Sequence, residues 1–576
     1  MTPPTADVLV IGGGIAGAFA ALKARDAGAD VLLVDKAYFG RSGCSALASG
    51  VFPSWMPGDD EDAWLKAFGG PLVNQPLLRK SLTVMHEHLM LMDGCGVKWL
   101  KHGDRIIRLG GPGRSFESGA LMGEGGPQMM MALRSEVLRR GVRVVNRWML
   151  TDLITSDGRQ PTGGAVVGAM GFDTRSGAVA PVLARATIVC TGPYKFPYPD
   201  RGSHFGYMPI DLSGDGIAAM LRAGATLSRL ELGGIQIHSK DLLCAPGLES
   251  LMPSGARFMN RDCTRLLEAY DPKRLELTSR ALLYFAIGTE YLRGHGPAMD
   301  LTRLSQEQVE RLRHVIPIII TSFERAGYDL TRDWIPYTYQ VAATSGIFGA
   351  GARVNERGET SIAGLFAGGT CSDMAYLPGG HLCFASTSGQ WAAEGALEHL
   401  VRMPAPPADA TLRERVGERA ARVRAPLERG AGLAYAEARA RLGAILLEDV
   451  GFVMSGPRLD KAIGRVRAMI ADDLPRLVAA DPHELAKVWG LTHYVEILEA
   501  ILTAYRHRTE SRVAFMREDF PDIDNESWLR TVMVQRRDGG LHVWDEPIPD
   551  AFHLTPPRRT KARHIAFRGA GAGANG

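Results

Sequence analysis

The residues best placed for chemistry stand near the start of the chain. Gly12, Gly14 and Gly17 are spaced Gly-x-Gly-x-x-Gly, behind an apolar, β-prone run from Val8 to Ile11 and ahead of a helical run from Ala18 to Arg25. Gly12 permits a tight turn, Gly14 lets backbone approach a pyrophosphate, and Gly17 lets the helix pack on the strand. Ala16 shares that turn. The free N–H groups and the positive dipole end of the helix then face the phosphates. A second apolar strand ends at Asp35, followed by Lys36. An acid at this position is where a ribose hydroxyl finds its acceptor. Strand, turn, helix, strand and acid in this order describe a grip on an adenine dinucleotide.

Further candidates follow along the chain. Residues 36–50 are dense in small side chains, among them Ser42, Gly43, Cys44 and Ser45, and suggest backbone packed against something flat. A strand over 186–192 stops at Thr191 and Gly192, an ending that brings backbone close to a ligand. Ser213 can cap a helix whose first turn holds Asp215. A short strand over 235–238 ends in His238. A buried strand over 361–369 ends in Gly369, followed by Thr370. A helix starts in the stretch around Ser386, Thr387 and Ser388, its dipole aimed at a bound ring. His238 and His381 are candidate acid–base groups or substrate contacts; each also reads as a satisfied histidine at a strand end or turn. Arg274 and Arg280 could bind an anionic substrate or relay a proton, or simply decorate a surface.

Bulk properties narrow the classes. At 576 residues the chain is too long for one ordinary core. A formal net charge of +3 gives no argument for nucleic acid. No apolar run reaches the length of a membrane span. The seven cysteines contain no Cys-x-x-Cys pair, so no metal or iron–sulfur site of the chain's own is expected. Scattered thiols in a large chain point to a reducing, cytoplasmic setting.

The pattern divides into a nucleotide-binding domain over 1–248, an insertion over 249–345, a return to the nucleotide domain over 346–402, a helical domain over 403–520, and a C-terminal segment with a mobile tail over 521–576. Three or so antiparallel helices are expected over 410–510. The fold class is α/β.

In this order the motifs resemble the fumarate reductase/succinate dehydrogenase flavoprotein family, which includes L-aspartate oxidase and the adenylylsulfate reductase α-subunit. Gly12 to Gly17 with Asp35 resemble its FAD site, and residues 41–50 its small-residue segment facing the flavin. Ser213 to Gly216 resemble its Ser/Thr-Gly-Asp-Gly helix start. Residues 255–259 match a Gly-x-Arg-Phe-Met of its capping domain, residues 364–369 its second FAD contact, and Glu510 to Arg512 with Arg517 and Trp528 its C-terminal signature. The resemblance implies a Rossmann-like FAD-binding domain, an inserted α+β capping domain and a C-terminal helical domain. It also implies a substrate between flavin and cap, and His238 as an active-site histidine.

Four departures stand out. Members with covalent FAD carry a histidine where Gly43 stands, so noncovalent FAD is expected. Thr370 replaces an acid at the second FAD contact, with Asp373 nearby as a substitute. Residues 341–347 lack a histidine found in dicarboxylate-handling members, and the stretch around Cys383 lacks their arginine, with only His381 near. Two grips on a dicarboxylate are therefore missing, and a plain fumarate reductase or succinate dehydrogenase is not expected. Three readings remain open: an FAD-dependent oxidoreductase subunit that works with a separate ferredoxin-like iron–sulfur protein, as a homo- or hetero-oligomer; a self-sufficient oxidase or dehydrogenase of the L-aspartate oxidase type; and a flavin-binding relay without turnover.

Overall fold

The computed structural model describes residues 4–111, 114–196, 208–209, 212–233, 237–239, 251–252, 254–278, 280–339, 343, 349–375, 381–402, 410–512 and 515–564. The first unit alternates strand and helix: β1 (Thr5–Ile11), α1 (Ile15–Asp26), β2 (Val31–Asp35), the short α2 (Gly43–Ala46), α3 (Gln75–Gly94), α4 (Gly125–Arg139), β3 (Arg143–Asn146), β4 (Trp148–Thr155), β5 (Val166–Asp173), β6 (Val182–Val189) and α5 (Asp215–Ala223). Val8 to Val10 and Val31 to Val34 are fully or almost fully buried. They read as continuous apolar runs because both faces of a parallel strand are covered.

A second unit follows, with β7 (Ile237–Ser239), β8 (Arg257–Met259), α6 (Arg280–Leu292), β9 (Ala298–Asp300) and β10 (Trp334–Tyr339). Its antiparallel sheet runs β7-β10-β9-β8. It has a core of its own, built on Phe258, Ile287, Met299, Ile320, Phe323 and Ile335. The chain then returns through β11 (Leu365–Ala367) and α7 (His381–Arg402).

The main sheet is ordered β3-β2-β1-β6-β5-β4, with β11 beside β6. Strand β6 pairs with β1 along one edge. Its other edge is shared: β5 takes the first half and β11 the second. The returning strand therefore ends next to the glycine turn, with the Gly368 N–H on the Val189 carbonyl at 3.0 Å.

Among the described residues the C-terminal part contains four α-helices, where three or so are expected: α8 (Ala410–Glu428), α9 (Tyr435–Ile445), α10 (Gly456–Ala468) and α11 (Pro482–His507). The hairpin β12 (Arg530–Arg537) and β13 (Gly540–Pro547) extends the chain beyond the expected helical signature. Strand β12 pairs with Leu227 and Ser228 of the first unit. The basic run near the end is also placed: Lys561–Arg563 pairs with Asp522–Asp524, and Lys561 meets Asp524 at 3.1 Å. Only residues 565–576 of the expected mobile tail lie outside the described residues.

Candidate functional site

The glycine turn is fixed by packing. Gly12 sits at φ +107°, and a Cβ there would lie 2.4 Å from the Cys190 carbonyl oxygen. A Cβ on Gly17 would lie 1.9 Å from the Gly12 oxygen. Gly14 differs, since a Cβ there meets only Ser45 Oγ at 3.4 Å. Nothing among the described residues requires glycine at 14, which leaves the backbone open to a ligand approaching the turn. Helix α1 opens on Gly14 without a side-chain cap and without an acid in its first turn, which leaves its positive end for an anion. Ser45 Oγ takes the Ile15 N–H at 3.1 Å and draws α2 to the turn. Ala16 is a packing residue: Gly389 of α7 lies so close that a Cβ would come within 2.2 Å of the Ala16 oxygen.

Asp35 is buried, and both its oxygens are already engaged. Oδ2 accepts the Gly13 N–H at 2.9 Å, while Oδ1 accepts the Ala37 N–H at 2.8 Å and the Ser42 hydroxyl at 3.2 Å. The carboxylate thus holds the turn and the following loop as well as standing where a ribose would lie. Lys36 Nζ reaches Asp215 Oδ2 at 2.9 Å and Ser213 Oγ at 3.2 Å. Asp215 opens α5 and also accepts from His493 Nδ1 at 2.9 Å and Ser213 Oγ at 2.6 Å. Burial alone would raise the Asp215 carboxyl; the charge of Lys36 and the contact with His493 outweigh it and hold the group well below the usual carboxylate range.

These residues border a cavity of about 830 Å³. One wall is Lys36, Ala37 and Tyr38 with Met149; the other is α11, through Lys487, Gly490 and Tyr494. It lies beyond the end of β2, the side on which a doubly wound fold takes the adenosine half of a dinucleotide. On the far side of the turn Gly43, at φ +81°, has open space where a Cβ would project. Thr191 Oγ1 is buried beside Cys371, and among the described residues nothing would meet a Cβ on Gly192, at φ +77°. A helix N-terminus that receives no cap from Gly14, open room at Gly43 and Gly192 among the described residues, and a cavity ample for an adenosine together fit FAD.

Several expected contacts take other roles. Helix α7 already runs from His381, so Ser386, Thr387 and Ser388 lie inside it rather than at its start. Thr387 Oγ1 and Ser388 Oγ turn back to helix carbonyls at 2.8 and 3.1 Å, as hydroxyls within helices do. Ser388 Oγ also accepts the Gly369 N–H at 2.8 Å, fixing the turn after β11. Asp373 does not substitute for the acid that Thr370 replaces. Its carboxylate is occupied by Ser228 Oγ at 2.8 Å, Arg353 Nη1 at 2.9 Å and the Val354 N–H at 3.1 Å. Thr370 is buried. Arg274 is exposed at the edge of a 3₁₀ turn. His238 pairs through its backbone with Thr338, Arg280 opens α6 and His381 opens α7; their side chains, and residues 341–342 and 344–347, lie outside the described residues.

Sequence reasoning missed His88, Lys195 and His493. None sits in a recognisable spacing; each is brought in by a contact across the fold. His88 of α3 stacks on Phe19 of α1, with ring centroids 3.9 Å apart. Its Nδ1 lies 2.9 Å from Ser386 Oγ and its Nε2 lies 2.8 Å from Gln390 Oε1. Gln390 Nε2 donates to Glu394, so Gln390 Oε1 accepts from His88 Nε2–H, while the Ser386 hydroxyl beside Nδ1 also lies 2.8 Å from the Cys383 carbonyl.

The model of the FAD binding domain family matches residues 7–382, and that of the fumarate reductase flavoprotein C-terminus matches residues 439–561. The chain is 26% identical over 564 residues to one subunit of the fumarate reductase (CoM/CoB) of Methanothermobacter marburgensis, covering 92% of this chain and 97% of that one. It is 27% identical over 589 residues to L-aspartate oxidase of Streptomyces coelicolor, covering 96% of each. Adenylylsulfate reductase of Archaeoglobus fulgidus superposes with a TM-score of 0.78 at 20% identity, over 96% of this chain and 98% of that one. No helix among the described residues is long and apolar enough to cross a membrane. With these two family models matching in order along the chain, it belongs to the fumarate reductase/succinate dehydrogenase family of FAD-dependent oxidoreductases.

Proposed function

We propose that this chain is the flavin-bearing catalytic subunit of an oxidoreductase that oxidises or reduces a small anionic substrate and exchanges electrons with a separate ferredoxin-like iron–sulfur protein. The observation that carries the reading is the glycine turn at the start of α1, with Gly14 free to take a Cβ and the cavity beside Lys36 beyond the end of β2. The FAD is held noncovalently, since glycine stands where covalent members have histidine. FAD supplies a two-electron exchange when bound. The chain's own groups bind and orient: the end of α1 faces the phosphates, Asp215 and Lys36 fix the adenosine side, and the inserted unit closes over the substrate. His238 and His381 contact substrate or move its proton, and Arg280, opening a helix of the inserted unit, meets its negative charge. The seven cysteines offer no Cys-x-x-Cys cluster site, and one relative is named as part of a larger enzyme; both support an external electron partner in a reducing, cytoplasmic compartment.

The substrate is not a plain fumarate or succinate, because two dicarboxylate grips are absent from the sequence. The test uses purified chain with its flavin reduced anaerobically. Fumarate, the imine of L-aspartate and adenylylsulfate, which accept electrons, are each added to this reduced chain, and L-aspartate or AMP with sulfite, which donate them, to the oxidised chain, while flavin absorbance is followed. Rapid reoxidation by fumarate would overturn the substrate reading. A chain whose flavin no small anion reduces or reoxidises would overturn the catalytic one and leave a relay. Copurification with a small iron–sulfur protein supports the partner. The alignment along the whole length of L-aspartate oxidase favours a second reading, a self-sufficient oxidase; fast turnover with oxygen alone would select it. Acid precipitation is expected to leave all flavin in the supernatant, and flavin retained on the protein would exclude noncovalent binding.

A further inference from the structure

Lys195 follows β6 in a stretch pinned to the start of α5. Its N–H donates to the Leu212 carbonyl at 2.6 Å, and Tyr194 bridges to Ser213. The side chain is 2% exposed. Among the described residues its Nζ reaches one acceptor, the Met208 carbonyl at 3.5 Å, the outer limit of a hydrogen bond. An ammonium has three donors to satisfy, and a buried one without an anion is unfavourable. Burial accordingly brings the Lys195 pKa down to about 8, with Cys44 opposing. The Cys44 thiol is pushed up to about 12 by burial, against the pull of the Lys195 charge.

The location of this charge is informative. Lys195 lines the cavity together with Lys36 and Ser213. It is also within electrostatic reach of Cys44, the residue before Ser45, which holds the first N–H of α1. Lys195 stands five residues beyond Cys190, whose N–H donates to the Ile11 carbonyl at 2.7 Å beside the glycine turn, so the ammonium sits on the segment that leads from that turn to the cavity. A dinucleotide passing from one to the other carries its two negative charges through that place. Lys36 is less suited to meet them, because Asp215 and Ser213 already engage its Nζ.

We propose that Lys195 is the side-chain counter-ion of the FAD diphosphate, the buried ammonium completing an anion site that the backbone of the glycine turn and the end of α1 only half supply. The assignment rests on the family's cofactor. It predicts that the loss is specific to ligands carrying a diphosphate. The test takes the full chain, stripped of flavin, and measures FAD binding by quenching of flavin fluorescence, with ADP and adenosine as competitors. K195M is expected to weaken FAD roughly 10- to 100-fold, the worth of a charge-assisted hydrogen bond. ADP should weaken in parallel, adenosine should be unchanged, and K195R should recover part of the loss. Unchanged FAD and ADP binding would overturn the proposal. So would an equal loss for all three ligands, which signals a collapsed pocket, or a loss for FAD alone, which moves the ammonium to the flavin ring. Should K195M not fold, limiting acylation of the wild-type chain, read by mass spectrometry, decides the matter. FAD and ADP must protect Lys195 while adenosine does not; equal protection by adenosine overturns it. A wild-type chain that binds no FAD would instead remove the cofactor reading itself.

Discussion

Gly14 and Gly17 look alike in the sequence and differ in what makes them glycine. The Gly17 Cβ would collide with backbone 1.9 Å away. G17A is expected to destabilise the chain by roughly 1–3 kcal/mol, as overpacking does, read as a lower urea midpoint. The Gly14 Cβ has room, so G14A should keep the midpoint and lose flavin affinity by about tenfold or more, equivalent to about 1.4 kcal/mol. Flavin content after gel filtration checks the contrast; a G14A chain that retains FAD as wild type would deny the turn its ligand. His88 makes a second prediction. Burial depresses its pKa from 6.5 to about 4, with Gln390 opposing. Between those values the unfolded chain binds a proton that the folded chain refuses. The stability is complete above about pH 6.5 and falls as pH drops toward 4, by about 3 kcal/mol from this group. Asp215, with its carboxyl held low, contributes above the usual carboxylate range and loses that contribution only at more acid pH. Urea midpoints measured from pH 7 to 4.5 should fall for wild type and fall less for H88Q; equal slopes would refute the role of His88.

At the scale of elements, the end of α11 is clamped to the segment after it by buried charges. Arg508 Nε meets Glu231 Oε1 at 2.9 Å and its Nη1 meets Glu510 Oε1 at 2.5 Å, while Arg512 grips both oxygens of Glu510 at 2.8 Å. Arg508, Glu231 and Glu510 side chains are fully buried. Removing one member leaves uncompensated charge in the interior. E510A is therefore expected to destabilise by about 3–5 kcal/mol, against about 0–1 kcal/mol for R506A, which loses only an exposed pair with Asp460. Comparable urea midpoints for the two would show that the cluster is not a clamp. The residues of the C-terminal signature, Glu510 and Arg512, were legible as a pattern. Their work, joining Glu231 before the inserted unit to the end of the helical domain, was not, because Glu231 and Arg508 are 277 residues apart along the chain.

At the scale of the molecule, the helical part closes the cofactor pocket. Helix α11 lines the cavity and sends His493 to Asp215, while Phe452 stacks on Phe285 of the inserted unit with centroids 6.2 Å apart. FAD binding should therefore slow amide exchange over 482–494 as well as around the glycine turn. Ligand at 100 times its dissociation constant adds about 2.7 kcal/mol of stability, and hydrogen exchange with mass spectrometry locates it. Protection confined to residues 8–45 would mean that α11 is not part of the site.

The amino-acid sequence by itself determined the strand–turn–helix grip, the inserted unit, the helical C-terminal part and the family. Those signals are local: a glycine spacing and a buried apolar run each act within a few residues, and their order along the chain sets the architecture, whereas the cap expected from Ser213 is not made, Gly214 opening that helix while Ser213 Oγ donates to Asp215. The tertiary structure alone decided where the polar groups go. It buried Ser386 five residues inside a helix that starts at His381, gave Asp373 to Arg353, set Lys195 in the cavity wall, and brought His88 to Ser386 and His493 to Asp215. A hydrogen-bonding side chain takes whichever partner the packing brings within about 3 Å, and packing is set by contacts between residues hundreds of positions apart.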